Sequence, residues 1–180
     1  MKLCLSDASI LNNGDFNRKI KIDEKMFLKA ASLIANDIET CYEIKENNIG
    51  ILGIARGAMP LLITIAHYLD IRTISIMHIQ MTNSDKVKDY GPVRFINEML
   101  DSKVEEYIIL EDIVSYGRCS NFAINRLVDY GKRITGVYSI VMNEAFESLD
   151  YDIQNIDLKY VYKINDRQWV NFFWEKGYLD

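Results

Sequence analysis

Glu111 and Asp112 are adjacent carboxylates at the carboxyl end of the apolar run Tyr107-Ile108-Ile109-Leu110. The turn Ser115-Tyr116-Gly117 follows, and a helical pattern begins at Arg118-Cys119-Ser120. Two acids at a strand end are suited to hold ribose hydroxyls or a hydrated Mg²⁺. A tight glycine turn leaves backbone N–H groups free at a helix N-terminus, the arrangement that receives a phosphate dianion. One short segment therefore carries handles for both halves of a ribose phosphate, and a phosphorylated sugar is the expected ligand. A second anion-binding turn lies upstream in Gly53-Ile54-Ala55-Arg56-Gly57-Ala58-Met59-Pro60. There the backbone N–H groups and the Arg56 guanidinium converge on one point. Taken singly, an acidic pair is more often a solvated strand end, and an Arg-Gly turn is more often structural. Their order along the chain makes them one argument.

Such residues need a scaffold that brings loops to one edge. Residues 23–42 place Met26, Phe27, Ala30, Leu33, Ile34, Ile38 and Tyr42 at helical spacing. A short β-rich strand is expected over 49–54, and an apolar crossover helix over 59–70, with Pro60 in its first turn. Strands are predicted at 73–79, 107–110, 134–142 and 158–164, and a helix at 118–130 closed by Gly131. Residues 81–103 are polar, contain Gly91-Pro92 and read as a flexible loop with a short amphipathic piece at 95–100. Alternating strands and helices predict an α/β fold with a Rossmann-like, mostly parallel sheet flanked by helices. Ligands of such sheets bind beyond the carboxyl ends of the strands.

The 180 residues suit a single domain, 1–180, with a core over 49–142 and C-terminal elements over 143–180. A hydrophobic share of 49% and a charged share of 26% exclude a disordered chain. The net charge of −5 gives no footprint for nucleic acid or an anionic membrane. No signal peptide is read in the opening residues, and no apolar stretch is long enough to span a bilayer. Cys4, Cys41 and Cys119 are odd in number, lack a CxxC and read as reduced cytoplasmic thiols. His67 and His78 are the only histidines, which argues against a histidine-rich zinc site.

The run from Tyr107 to Ser120 resembles the signature of the type I phosphoribosyltransferases: an apolar strand, two acids, two apolar residues and a phosphate loop. The resemblance implies that Glu111 and Asp112 bind the ribose of phosphoribosyl pyrophosphate (PRPP) and its Mg²⁺. It further implies that Ser115, Tyr116, Gly117, Arg118, Cys119 and Ser120 receive the 5′-phosphate. Arg56-Gly57 looks like the family's pyrophosphate loop. Asn165-Asp166-Arg167-Gln168-Trp169-Val170-Asn171-Phe172-Phe173-Trp174-Glu175 resembles the hood of the xanthine–guanine branch. There Trp169 would stack on the base, Val170 would meet its edge through the backbone, and Arg167 would assist. Trp174 reads as core. Transfer of phosphoribose from PRPP to a purine-like nucleobase is implied, in a cytoplasmic homodimer serving purine salvage, with a loop over 84–94 closing the site.

Three positions depart from the family pattern. Ser115 stands where the purine enzymes carry a catalytic aspartate, so the acceptor base is acidic, another group takes the proton, or turnover is lost. A non-catalytic PRPP- or nucleotide-binding regulator is the alternative. Tyr116 and Cys119 replace the two threonines of the phosphate loop. No lysine occurs between Lys132 and Lys159 to read a 6-oxo group, which leaves Asn143 as the nearest polar side chain.

Overall fold

The computed structural model describes residues 9–11, 19–42, 44, 48–82, 90–144, 156–165 and 168–175. Asp23 opens α1 (Glu24–Cys41): its carboxylate accepts the Met26 N–H at 2.7 Å, as a capping residue should. The remaining elements follow as β3 (Ile49–Ala55), α2 (Met59–Tyr68), β4 (Ile74–Thr82), β5 (Tyr90–Met99) and β6 (Glu106–Val114). Then come α3 (Arg118–Asp129), β7 (Arg133–Asn143) and β8 (Leu158–Ile164). Gly131 takes a φ of 71° just past α3, the left-handed turn that favours glycine.

These strands and the short β1 (Ser9–Ile10) form a seven-stranded sheet in the order β1-β8-β7-β6-β3-β4-β5. Only the β4–β5 pairing is antiparallel. The chain moves outward from β3 through β4 and β5, then returns to β6 and moves the other way through β7 and β8. Sheet order thus reverses between β3 and β6. Right-handed crossovers in opposite directions put α2 on one face and α3 on the other. Ala30, Ile34 and Ile38 of α1, with Leu61, Leu62 and Ile65 of α2, bury Ile51, Ile108 and Leu110. On the far face Ala123, Ile124 and Leu127 of α3 cover Leu52, Ile54, Ile109 and Val137. Strands enclosed from both sides need near-continuous apolar sequence, and β3 is buried at every position.

A small second sheet sits beyond the carboxyl edge. β2 (Lys19–Ile22) pairs in parallel with β9 (Trp169–Phe172). Val170 and Phe172 enter the core, and Phe172 stacks on Trp174 with ring centroids 4.5 Å apart. Phe27 of α1 meets Trp174 edge-on at 5.2 Å, so Trp174 is structural, as the sequence suggests. Behind the sheet, buried Asp37 accepts hydrogen bonds from Tyr138 Oη at 2.5 Å and Lys159 Nζ at 2.7 Å.

The segment expected to be a loop is partly strand. β4 runs on to Thr82, and β5 forms the sheet edge where a single amphipathic piece was expected. Arg126 of α3 pins β5 with hydrogen bonds to Glu98 at 3.0 and 2.9 Å and lies 4.6 Å over the Phe95 ring. An edge strand needs partners on one side only, which is how Pro92 is accommodated. Residues 83–89, the centre of the expected closing loop, lie outside the described residues. Trp174→Ala empties the aromatic cluster behind the small sheet. Equilibrium denaturation should show a loss of about 3 kcal/mol, as for other large aromatic truncations.

Candidate functional site

The reversal of sheet order between β3 and β6 defines a crevice outside the carboxyl ends of these strands, the usual ligand position in open α/β sheets. Two turns flank it. The β3–α2 turn carries Arg56, Gly57 and Ala58, with Arg56 exposed and a cis peptide between Ala55 and Arg56. The β6–α3 turn carries Ser115, Tyr116 and Gly117, where Gly117 adopts a φ of 65° as the residue before α3. Neither α2 nor α3 has a side-chain cap at its N-terminus, in contrast to α1. The first turn of α3 thus has backbone N–H groups with no intrahelical acceptor, which suits an anion, whereas in α2 Pro60 has no N–H and the Met59 N–H donates to the Arg56 carbonyl at 3.1 Å.

The acids do not lie where the sequence suggests. Glu111 and Asp112 fall inside β6, which extends to Val114, instead of just past its end. Strand alternation turns them to opposite faces. Glu111 is buried on the α3 side, where Ser120 Oγ donates to its Oε2. Asp112 lies on the α2 side, directly against Gly57. A Cβ added to Gly57 would fall within the Asp112 carboxylate, so any other residue here must displace either that carboxylate or the turn. Ser139 of β7 donates to the Asp112 carbonyl at 3.2 Å and to the Val141 carbonyl at 2.7 Å.

Burial raises both acids. Glu111 moves from 4.5 to about 8, chiefly by desolvation, with the Ser120 hydrogen bond opposing and the Asp112 charge adding. Asp112 moves from 3.8 to about 6, again by desolvation, partly offset by backbone N–H groups and increased by the Glu175 charge. Glu175 closes the segment that resembles the hood. Its Oε2 accepts the Phe172 N–H at 2.9 Å, and its charge is felt at Asp112 across the seam between the small sheet and the core. Desolvation and the two acids also push the Cys119 thiol far up, so it stays protonated and unreactive.

The other site residues divide between crevice and interior. Ser115 is buried at the end of β6, and the Arg118 guanidinium lies 5.6 Å over the Tyr116 ring. Ser120 is fully buried and faces Glu111. Trp169 is half-buried on the β9 face opposite Val170 and Phe172, while the Val170 side chain is core. Arg167 lies outside the described residues. Asn143 directs its amide to the Gln168 carbonyl at 3.5 Å, tying β7 to the segment before β9. The sequence did signal the interior role of Ser120. It continues the buried α3 stripe of Ala123, Ile124 and Leu127, where a polar residue requires an internal partner.

No group of three or more potential metal ligands occurs among the described residues. A single crevice-facing carboxylate, Asp112, fits a hydrated Mg²⁺ that arrives on phosphate oxygens and does not fit an ion caged by protein.

No protein-family model matches this sequence, and no curated protein matches it. Solved structures do match. The purine phosphoribosyltransferase of Pyrococcus horikoshii aligns over 88% of this chain and 94% of its own, with a TM-score of 0.64 and 17% identity. The xanthine-guanine-hypoxanthine phosphoribosyltransferase of Helicobacter pylori aligns over 89% and 96%, with a TM-score of 0.63 and 15% identity. A Neisseria gonorrhoeae protein with bound ppGpp aligns over 88% and 90%, with a TM-score of 0.65 and 15% identity. The architecture is the type I phosphoribosyltransferase fold, as the sequence signature implied.

The raised acids make stability depend on pH. A carboxyl group that holds its proton more tightly in the folded state stabilises fully below its unfolded value and loses that contribution as pH rises. For Glu111 the window runs from 4.5 to about 8. Glu111→Gln cannot ionise, so its thermal midpoint should rise relative to the parent between those limits and level off beyond them. A constant difference across the range would contradict the burial argument.

Proposed function

We propose that this protein transfers a 5-phosphoribosyl group from PRPP to a purine-like nucleobase and releases pyrophosphate. The observation that carries this reading is the contact of Gly57 with Asp112 at the switch point. It joins an arginine-bearing anion turn to an acid-bearing strand beside an uncapped helix N-terminus, and these are the parts a ribose carrying a phosphate and a pyrophosphate requires. The phosphoribosyltransferase structures of the same fold add support.

In this reading Arg56 and the backbone at Gly57 receive the pyrophosphate. The N–H groups of the turn from Ser115 through Cys119 receive the 5′-phosphate, with Arg118 alongside. Asp112 orients the ribose hydroxyls, and Glu111 supports it from behind the strand. Mg²⁺, when bound through Asp112 and the phosphates, neutralises charge on the leaving pyrophosphate. The half-buried Trp169 ring stacks on the base, the backbone at Val170 meets its edge, and Arg167 adds a charge nearby. The base nitrogen attacks C1 of the ribose as the bond to pyrophosphate breaks. Positioning and electrostatics supply the acceleration. Ser115 is a poor proton acceptor, which favours a base that is acidic or already ionised. Exposed Ile63 and Tyr68 on α2 support pairing of two copies beside the pyrophosphate turn, and the free thiols of Cys41 and Cys119 support a cytoplasmic location.

A second reading is a regulator that binds PRPP or a nucleotide without turnover. Ser115 at the position of the proton acceptor favours it, and the Neisseria gonorrhoeae protein of this fold holds ppGpp.

Pyrophosphate release from PRPP and Mg²⁺ across purine, deazapurine and pyrimidine bases separates the two. Base-dependent release is expected, with Asp112→Asn slower by at least about a hundredfold. Gly57→Ala should weaken PRPP binding measured by calorimetry, because its methyl group displaces the turn from Asp112. Binding of PRPP without release on any base would establish the regulator. Absence of PRPP binding would sink the transfer reading, and absence of binding to both PRPP and ppGpp would sink the regulator as well.

A further inference from the structure

We propose that Ser120 is a positioning residue: its hydrogen bond to Glu111 braces the first turn of α3 against β6 and leaves Asp112 as the acid that meets the ligand. The kinetic consequence rests on the phosphoribosyl-transfer reading, whereas the brace itself does not.

The two partners come from patterns that point at each other. Glu111 extends the row of Tyr107 and Ile109 along the α3-facing side of β6, and all three are buried. Ser120 heads the stripe of Ala123, Ile124 and Leu127 along the sheet-facing side of α3, and it has no accessible surface. Where the two stripes meet, Ser120 Oγ donates to Glu111 Oε2. A hydroxyl in that position cannot also meet a phosphate in the crevice. The anion is therefore left to the backbone N–H groups of the turn, and Ser120 acts through Glu111.

The α3 N-terminus has little else to hold it. It follows a left-handed glycine and lacks a side-chain cap. Of the three side chains in its first turn, Arg118 is exposed, Cys119 is half-buried and Ser120 alone is enclosed. Removing one partner of a buried hydrogen bond leaves the other unsatisfied, which costs more than the bond itself contributes. From the neighbouring strand β7, Ser139 donates to the Asp112 carbonyl at 3.2 Å. The phosphate-binding turn and the ribose acid are thereby held in fixed relation through the interior of the protein.

The test compares the parent with Ser120→Ala, Glu111→Met, which removes the acceptor at similar length, and the double variant, using calorimetric PRPP binding and steady-state kinetics. Ser120→Ala should raise the dissociation constant and KM for PRPP about tenfold, while kcat stays within about twofold. The double variant should be little worse than Ser120→Ala, because the pair acts as one unit. Unchanged KM, a loss confined to kcat, or strictly additive effects would overturn the brace. Ser120→Cys, close in size and a weaker donor, serves the same comparison if the alanine variant does not accumulate, and it should fall between parent and alanine. If the parent does not bind PRPP, the transfer reading fails and amide exchange decides the brace separately. The Asn121 amide donates to the Gly117 carbonyl at 2.8 Å in that first turn. Its exchange should quicken selectively in Ser120→Ala, and an unchanged or uniformly altered pattern would refute the brace.

Discussion

The Asp112 carboxylate fills the volume in which any side chain at position 57 would begin. Much of the site follows from that single exclusion. It fixes the distance between the turn after β3 and the strand β6, two neighbours that the chain reaches on separate excursions. It also encloses the carboxylate, which makes ionisation costly and raises its titration to about 6. A charge set so close to backbone has little room to relax. Its hydroxyl or cation partner must therefore approach from the open side of the crevice.

The interior behind this contact is organised to tolerate acids. Ser120 meets Glu111, Ser139 holds the Asp112 carbonyl, and Tyr138 with Lys159 satisfies Asp37. Every buried side-chain nitrogen or oxygen among the described residues has a partner. This matters because a half-satisfied buried network destabilises more than an apolar core would. The Asp37 cluster ties α1 to β7 and β8 by these hydrogen bonds.

The sequence made the main helices and the parallel strands legible because their apolar periods are regular and their ends carry Asp23, Pro60 and Gly131. The two turns that flank the crevice were legible for the same reason: a glycine, an arginine and two acids interrupt otherwise apolar segments. β5 was not, since an edge strand leaves much of its surface exposed and residues 95–100 read only as a short amphipathic piece within a loop until Arg126 is seen to hold Glu98. β1 and β2 are too short to carry a period at all. The extension of β6 through its acids was hidden because buried carboxylates run against composition, and only the serine on the α3 stripe betrays a partner for one of them. The type I phosphoribosyltransferase fold is also where the solved structures agree with the sequence signature.

The small sheet has a consequence for how the protein comes into being. β2 and β9 pair in register, Ile20 with Val170 and Ile22 with Phe172, although nearly the whole chain separates them. Closing so large a loop costs entropy before any contact rewards it, so this pairing is expected late, on a central sheet that has already formed. During synthesis the crevice can therefore exist with its two flanking turns in place but without the small sheet. The half-buried Trp169 arrives only when β9 emerges, and the nascent chain acquires its glycine turns before its aromatic ring.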